Sequence, residues 1–165
     1  MDTSKSSLRP GKDSIGLCVG AVIMDNNGRI LLIKRKSLID SNKLRVGDGE
    51  WSAPGGKVDF GERVEDALKR EIAEEIGLEV KIKKFLGYTE QLMDNSNLHW
   101  FLLHFLCEPV GEPTVMEPEK IDKLGWFQLD SLPENVIHEH VTRPLKMLKE
   151  CSESYGNENT RKNGP

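Results

Sequence analysis

Three glutamates within five residues, Glu71, Glu74 and Glu75, are the most chemically pointed feature of the chain. On a helix, positions i, i+3 and i+4 share one face, so their carboxylates would lie on a common arc. Like charges at that spacing repel, and these fall in the last turns of the helix, where the macrodipole already disfavours anions. A helix shaped only for stability would carry cations there. A divalent cation would supply the missing positive charge, and clustered carboxylate oxygens are hard ligands suited to Mg2+ or to Mn2+ in its place. The competing reading is a solvated acidic face.

The elements around that helix must hold it in place. The helix belongs to GGKVDFGERVEDALKREIAEEIGL, residues 55–78; its core is predicted to start after Gly61 and stop at Gly77, a residue suited to a left-handed cap. Leu68, Ile72 and Ile76 form an apolar seam at i, i+4 that needs a sheet to pack on. Upstream, the runs 15–24 and 29–36 flank an Asp-Asn-Asn-Gly turn and predict a hairpin. The polar stretch 37–50 is long enough to suggest part of a site. Downstream, 78–90 alternates as a half-buried strand, 99–108 is apolar on both faces as a central strand should be, and 125–130 reads as a short strand. Pro144 interrupts a helical pattern, so the firm C-terminal helix is expected from about Arg143 to Glu150. The order predicts one α/β domain with a mixed sheet and helices on its faces, over residues 14–150, with loose tails at 1–13 and 151–165.

Composition narrows the partners. Lys and Arg number 23 against 27 Asp and Glu in 165 residues, a net charge of -4 and a pI near 5.6. A binder of polymeric nucleic acid or of a membrane surface needs a positive field, so neither is expected. No apolar run approaches the ~20 residues of a membrane helix, and the start lacks a signal-peptide pattern, which reads as cytoplasmic. Cys18, Cys107 and Cys151 are scattered and odd in number, against a disulfide framework or a cysteine zinc site. His99 and His104 fall five apart on a strand, hence on opposite faces, and His138 and His140 have no carboxylates patterned around them; all four read as structural or surface residues.

The acidic helix is part of a longer pattern. Gly56, Glu62, Arg70, Glu71, Glu74, Glu75 and Gly77, with aliphatic Ile72 and Leu78, satisfy G-x5-E-x7-R-E-U-x-E-E-x-G-U without a departure, U being a bulky aliphatic residue. That spacing resembles the signature of the Nudix hydrolase family. Trp51-Ser52-Ala53-Pro54 before the glycine pair, Leu31 to Arg35, and Trp126 to Asp130 are similar to MutT-type members, so the resemblance runs from about Ile15 to Pro133. It implies a Nudix-type α/β/α sandwich with a loop–helix–loop catalytic motif, and divalent-cation-dependent hydrolysis of a nucleoside diphosphate linked to another moiety.

By that match Glu71 and Glu75 are the implied metal ligands, with Glu74 behind them and the carbonyl of Gly55 as a further ligand. Arg70 matches the arginine that steadies an acidic neighbour, and Glu62 a residue that supports the helix. Arg35 and Lys57 match phosphate-contacting basic positions, with solvated cations as the alternative. A loop glutamate serves many members as ligand or base; Glu119 is the choice, with Glu117 and Asp122 open. The family's proline marker for ADP-ribose and tyrosine marker for diadenosine polyphosphates are absent at their usual distances. What remains resembles enzymes that split a (d)NTP, in some cases an oxidised one, into monophosphate and pyrophosphate. Nucleotide-sugar or ADP-ribose hydrolysis and a non-catalytic binding module are the alternatives, and the partners implied are a nucleotide substrate and, left open, a second copy in a homodimer.

Overall fold

The computed structural model describes residues 9–37, 49–93 and 98–161. Most of the 37–50 loop therefore lies outside the described residues. Two sheets are present. The first has the order β4-β1-β6-β5, built from β1 (Gly16–Ile23), β4 (Gly55–Lys57), β5 (Glu79–Met93) and β6 (Leu98–Val110). It is mixed: β1 runs parallel to β6 and antiparallel to β4. The second, β3-β2-β7, joins β2 (Ile30–Arg35), β3 (Trp51–Ser52) and β7 (Ile121–Phe127), all antiparallel. The helices are α1 (Val64–Ile76) and α2 (Thr142–Arg161).

The hairpin expected across residues 25–28 is corrected. The turn forms, with the Gly28 N–H donating to the Asp25 carbonyl, but pairing stops after the single bridge Met24–Ile30. Beyond it the strands part into different sheets, because both faces of β2 are needed elsewhere. Leu31 and Ile33 pack with Leu68, Ile72 and Ile76 of α1 in one core cluster, while Ile30 and Leu32 join Val141 and Leu145 beside α2 in another. A strand buried on both faces reads as a continuous apolar run, as Ile30-Leu31-Leu32-Ile33 does. The helices thus cover opposite faces, which gives the expected α/β/α layering. The central strand expected over 99–108 is β6, which lies between β1 and β5.

Three boundaries differ from expectation. β7 begins at Ile121, four residues before Gly125, and ends at Phe127. α2 runs to Arg161 rather than stopping near Glu150; Pro144 falls in its first turn, where a missing N–H leaves no bond unmade. Residues 9–13, expected as loose tail, form a hydrogen-bonded turn closed by the Arg9–Asp13 ion pair at 2.7 Å. Cys18, Cys107 and Cys151 are free thiols, and no helix among the described residues is long and apolar enough to cross a membrane.

Candidate active site

Helix α1 starts without a side-chain cap but with Glu65 and Asp66 in its first turn, and ends at Gly77 with φ 59°. That left-handed conformation suits glycine, whose lack of a Cβ removes the usual penalty. The segment after β6 then seals the helix end: the Thr114 N–H donates to the Ile76 carbonyl at 2.8 Å and the Met116 N–H to that of Glu75 at 3.0 Å. Two of the carbonyls left over at the helix C-terminus are thereby met, and the loop carrying Glu117 and Glu119 is fixed against the acidic turn.

Within that turn the three glutamates have different surroundings. Glu75 is 7% exposed, and its Oε2 accepts the Gly55 N–H at 2.8 Å. Burial pushes its carboxyl up to about 7; Arg35 and the Gly55 bond oppose the rise, whereas Glu71 and Glu117 add to it. Glu71 is mostly buried and turned onto Arg70, with Nη1 to Oε1 at 2.9 Å. Glu74 stands on the outer side, about half exposed, 3.3 Å from the same Nη1. Arg70 also grips Glu62 with two parallel bonds of 2.8 and 2.9 Å and donates to the Lys57 carbonyl at 3.0 Å. These bonds, that to Glu62 first, raise the guanidinium's pKa, and the same contact holds Glu62 below the usual carboxylate range. Arg70 thus ties the start of the motif to its end.

The glycine pair explains itself through what flanks β4. Gly56 is in register with Val19 on the α1 side, and a Cβ there would overlap the Glu71 carboxylate. Gly55, with φ 144°, lies so close to β1 that a Cβ would overlap the Val19 carbonyl. Two glycines let this edge strand pair closely with β1 and pass beside the acidic helix without displacing either.

On the far face of the sheet from α1 lies a cleft of about 240 Å³. Cys18 and Gly20 of β1, Trp100 and Leu102 of β6, Gln91 and His140 line it, and Gly55, Lys57 and Arg35 bound it on the motif side. Arg35 is steadied by a 3.2 Å bond to the Ser52 hydroxyl, and the Lys57 ammonium sits 5.3 Å from the Trp100 ring centroid. Both basic residues therefore border the cleft near β4. Burial pushes His140 down to about 4, with Arg35 and His104 adding to the effect, so a neutral imidazole faces the cleft. His104 is the structural residue expected, buried and 2.9 Å from Thr89 Oγ1. His140, read from sequence as a structural or surface residue, lines the cleft, and neither Trp100 nor Gln91 carried a substrate assignment from sequence. Alternation along β6 does put Trp100 and Leu102 on one face, but the parallel neighbour that completes the wall is fixed only by the fold.

Glu119 is exposed, whereas Glu117 is less than a quarter exposed, bonds Lys120, and acts electrostatically on Glu75. The loop thus brings Glu117, rather than Glu119, to the acidic turn. Among the described residues no three His, Cys, Asp or Glu side chains stand together as a ready-made metal site, Glu71 being drawn to Arg70. The donor chemistry nevertheless fits a hard divalent cation: Glu75 is a buried carboxylate with no cationic hydrogen-bond partner among the described residues, flanked by Glu71 and Glu117.

Comparison with known proteins agrees with this geometry. A family model described as the NUDIX domain matches residues 15–151. The chain is 33% identical over 111 residues to the oxidized purine nucleoside triphosphate hydrolase of Mus musculus, covering 63% of this chain and 65% of that one. It is 32% identical over 128 residues to an ADP-ribose pyrophosphatase of Methanocaldococcus jannaschii, covering 77% and 71%. It spans only 41% of the length of the NAD-capped RNA hydrolase NudC of Stutzerimonas stutzeri, at 28% identity over 70% of this chain. Among solved structures, a MutT NUDIX hydrolase from Burkholderia pseudomallei superposes with a TM-score of 0.71 at 38% identity, over 80% of this chain and 96% of that one. With an unbroken signature on α1, and a family match that runs from β1 into α2, the chain belongs to the Nudix family.

Proposed function

We propose that the protein is a divalent-cation-dependent hydrolase that splits a nucleoside triphosphate into the monophosphate and pyrophosphate. The observation that carries this reading is the position of β4, with the buried Glu75–Glu71 carboxylates on one side and a cleft bounded by Arg35 and Lys57 on the other. A polyphosphate chain laid past Gly55 and Gly56 would meet both. The cleft is lined mostly by apolar and aromatic side chains with a few polar groups at its edge, the make-up of a small-molecule site. The mouse relative's name points to the same substrate class. That of the Methanocaldococcus relative keeps ADP-ribose as the second reading, with nucleotide sugars beside it.

In this reading Glu71 and Glu75, with Glu74 and the Gly55 carbonyl beside them, would hold Mg2+, or Mn2+ in its place. The cation would neutralise charge on the diphosphate and lower the pKa of water. Arg35 and Lys57 bind phosphate oxygens and orient the chain. Arg70 and Glu62 keep the carboxylates from spreading. A loop carboxylate takes the proton from the attacking water; its placement near Glu75 supports Glu117 over Glu119 for that step. We set the reaction in the cytoplasm. The test is release of pyrophosphate or phosphate from a panel of NTPs, dNTPs, oxidised dNTPs, ADP-ribose and nucleotide sugars with Mg2+. Pyrophosphate from triphosphates is the expected result. Turnover confined to ADP-ribose or a nucleotide sugar selects the second reading, and turnover of none favours a binding module.

A further inference from the structure

The cleft wall formed by Trp100 rests on a floor that the hydrolytic chemistry does not require. Trp100 is in register with Gly16 of β1, and its indole lies where a side chain of residue 16 would stand: a Cβ there would overlap Cε3 and Cζ3 of the ring. Gly11 meets the opposite edge, where a Cβ would overlap Cε2 and Cζ2, and it has φ 82°. Both glycines are buried and neither lines the cleft, whereas Trp100 and Lys57 do. The indole therefore lies between a glycine floor and the cleft, with the Lys57 ammonium near its ring.

That floor is a built feature. The Gly11 N–H donates to the Ser14 carbonyl and the Gly11 carbonyl accepts from the His99 N–H, both at 2.7 Å. Arg9 and Asp13 close the turn with two side-chain bonds of 2.7 and 2.9 Å. The His99 bond fastens the segment to the residue next to Trp100. Residues 9–14 precede the family match, which starts at residue 15, so this support is additional to the shared domain.

We propose that the Arg9–Gly16 segment is a positioning element that holds the Trp100 indole flat as the platform on which the substrate's base stacks. This rests on the reading that the cleft takes the nucleoside of a nucleotide substrate. An indole face accepts any base, because every base has a π surface, so the platform adds affinity for the nucleoside while Gln91 and His140 are the polar groups beside it. A base that takes the indole face also moves the Lys57 ammonium off the ring, towards the phosphates.

The experiment compares a nucleoside triphosphate that the full-length protein hydrolyses with ribose 5-triphosphate, which lacks the base, in the presence of Mg2+. Trp100→Leu is expected to lower the preference for the nucleotide over the base-less compound about tenfold or more, chiefly through the nucleotide KM. Trp100→Phe, which keeps a π face, should restore most of it. Asp13→Ala and Gly11→Ala alter only the segment beneath the ring and should each reproduce part of the loss; Asp13 is exposed, so its replacement leaves the core intact. A preference unchanged in Trp100→Leu, or equal losses for both substrates, overturns the platform. An effect of Trp100→Leu with none from either segment variant overturns the positioning role of residues 9–16. A wild-type protein that hydrolyses no nucleotide overturns the functional reading itself, and the platform with it.

Discussion

Gly55 and Gly56 are adjacent, yet the two sides of the strand they occupy hold opposite kinds of surface. On the α1 side a crowd of carboxylates is drawn around one guanidinium, and every distance is set by charge. On the cleft side the wall is mostly apolar, and its shape depends on the Trp100 indole, which lies where side chains at Gly11 and Gly16 would stand. The first surface is suited to holding cations and phosphate, the second to recognising whatever is attached to the phosphate. Changes on the α1 side should therefore act on turnover, and changes on the cleft side on substrate preference.

The sharpest break of that division is removal of charge from the α1 side. Chelation of divalent cations should abolish hydrolysis, and Glu75→Gln should lower kcat at least a hundredfold with metal in excess. Turnover within tenfold of wild type would take Glu75 out of the ligand set. Gly56→Ala should approach the same loss although it removes no charge, because the added Cβ must push the Glu71 carboxylate aside; near-normal kcat there would mean that Glu71 can relocate at no cost.

Next in size is the loop carboxylate. Glu117→Gln is expected to cost about 10²–10⁴ in kcat, the range for a positioned proton acceptor, with the nucleotide KM little changed. Glu119→Gln and Asp122→Asn should stay near wild type. If the loss appears at Glu119 instead, the loop closes further over substrate than its resting contacts indicate. Smaller again is Arg70→Lys, which keeps the charge but cannot make the two parallel bonds to Glu62. A reduction of roughly 10- to 100-fold in metal affinity or turnover is the scale for a residue that orients ligands.

The same division explains what could be read from sequence. α1, its seam of Leu68, Ile72 and Ile76, its stop at Gly77 and its acidic arc all follow from helical periodicity, which is local. Arg70 and Glu62 belong to one motif, but the motif gave Arg70 only an unspecified acidic neighbour; that the partner is Glu62, eight residues back, depends on how the loop before α1 folds onto it. The cleft assembles Cys18, Gln91, Trp100 and His140 from segments joined only by the sheet order, so no spacing marked it. The hairpin misreading has the same origin: Asp25 to Gly28 makes the turn, but the destination of β2 depends on two helices distant in sequence. Glu117 and Glu119 differ in a loop whose path is fixed by bonds to the carbonyls of Glu75 and Ile76 and by the Lys36 ammonium on the Pro118 carbonyl, none of which is a sequence pattern.

The smallest expected effect concerns stability, and it tests whether the α1 side is strained by its own charge. In the metal-free fold burial disfavours the ionised form of Glu75 and pushes its carboxyl from an ordinary 4.5 up to about 7. Between those two values the folded protein holds a proton that the unfolded chain has released. Stability must therefore fall as pH rises from about 4.5 through about 7, and level off above. A shift of that size corresponds to roughly 3–3.5 kcal/mol. Glu75→Gln carries no titrating group and can still accept the Gly55 N–H through its amide oxygen. Without metal it should melt several degrees above wild type at pH 8, with the gap closing as the pH falls to 4.5. Added Mg2+ should narrow the gap at pH 8, because binding stabilises the wild type and has less to bind in the variant. A variant that melts below wild type at pH 8 without metal would mean that packing around Glu75, rather than its uncompensated charge, governs this side of the strand.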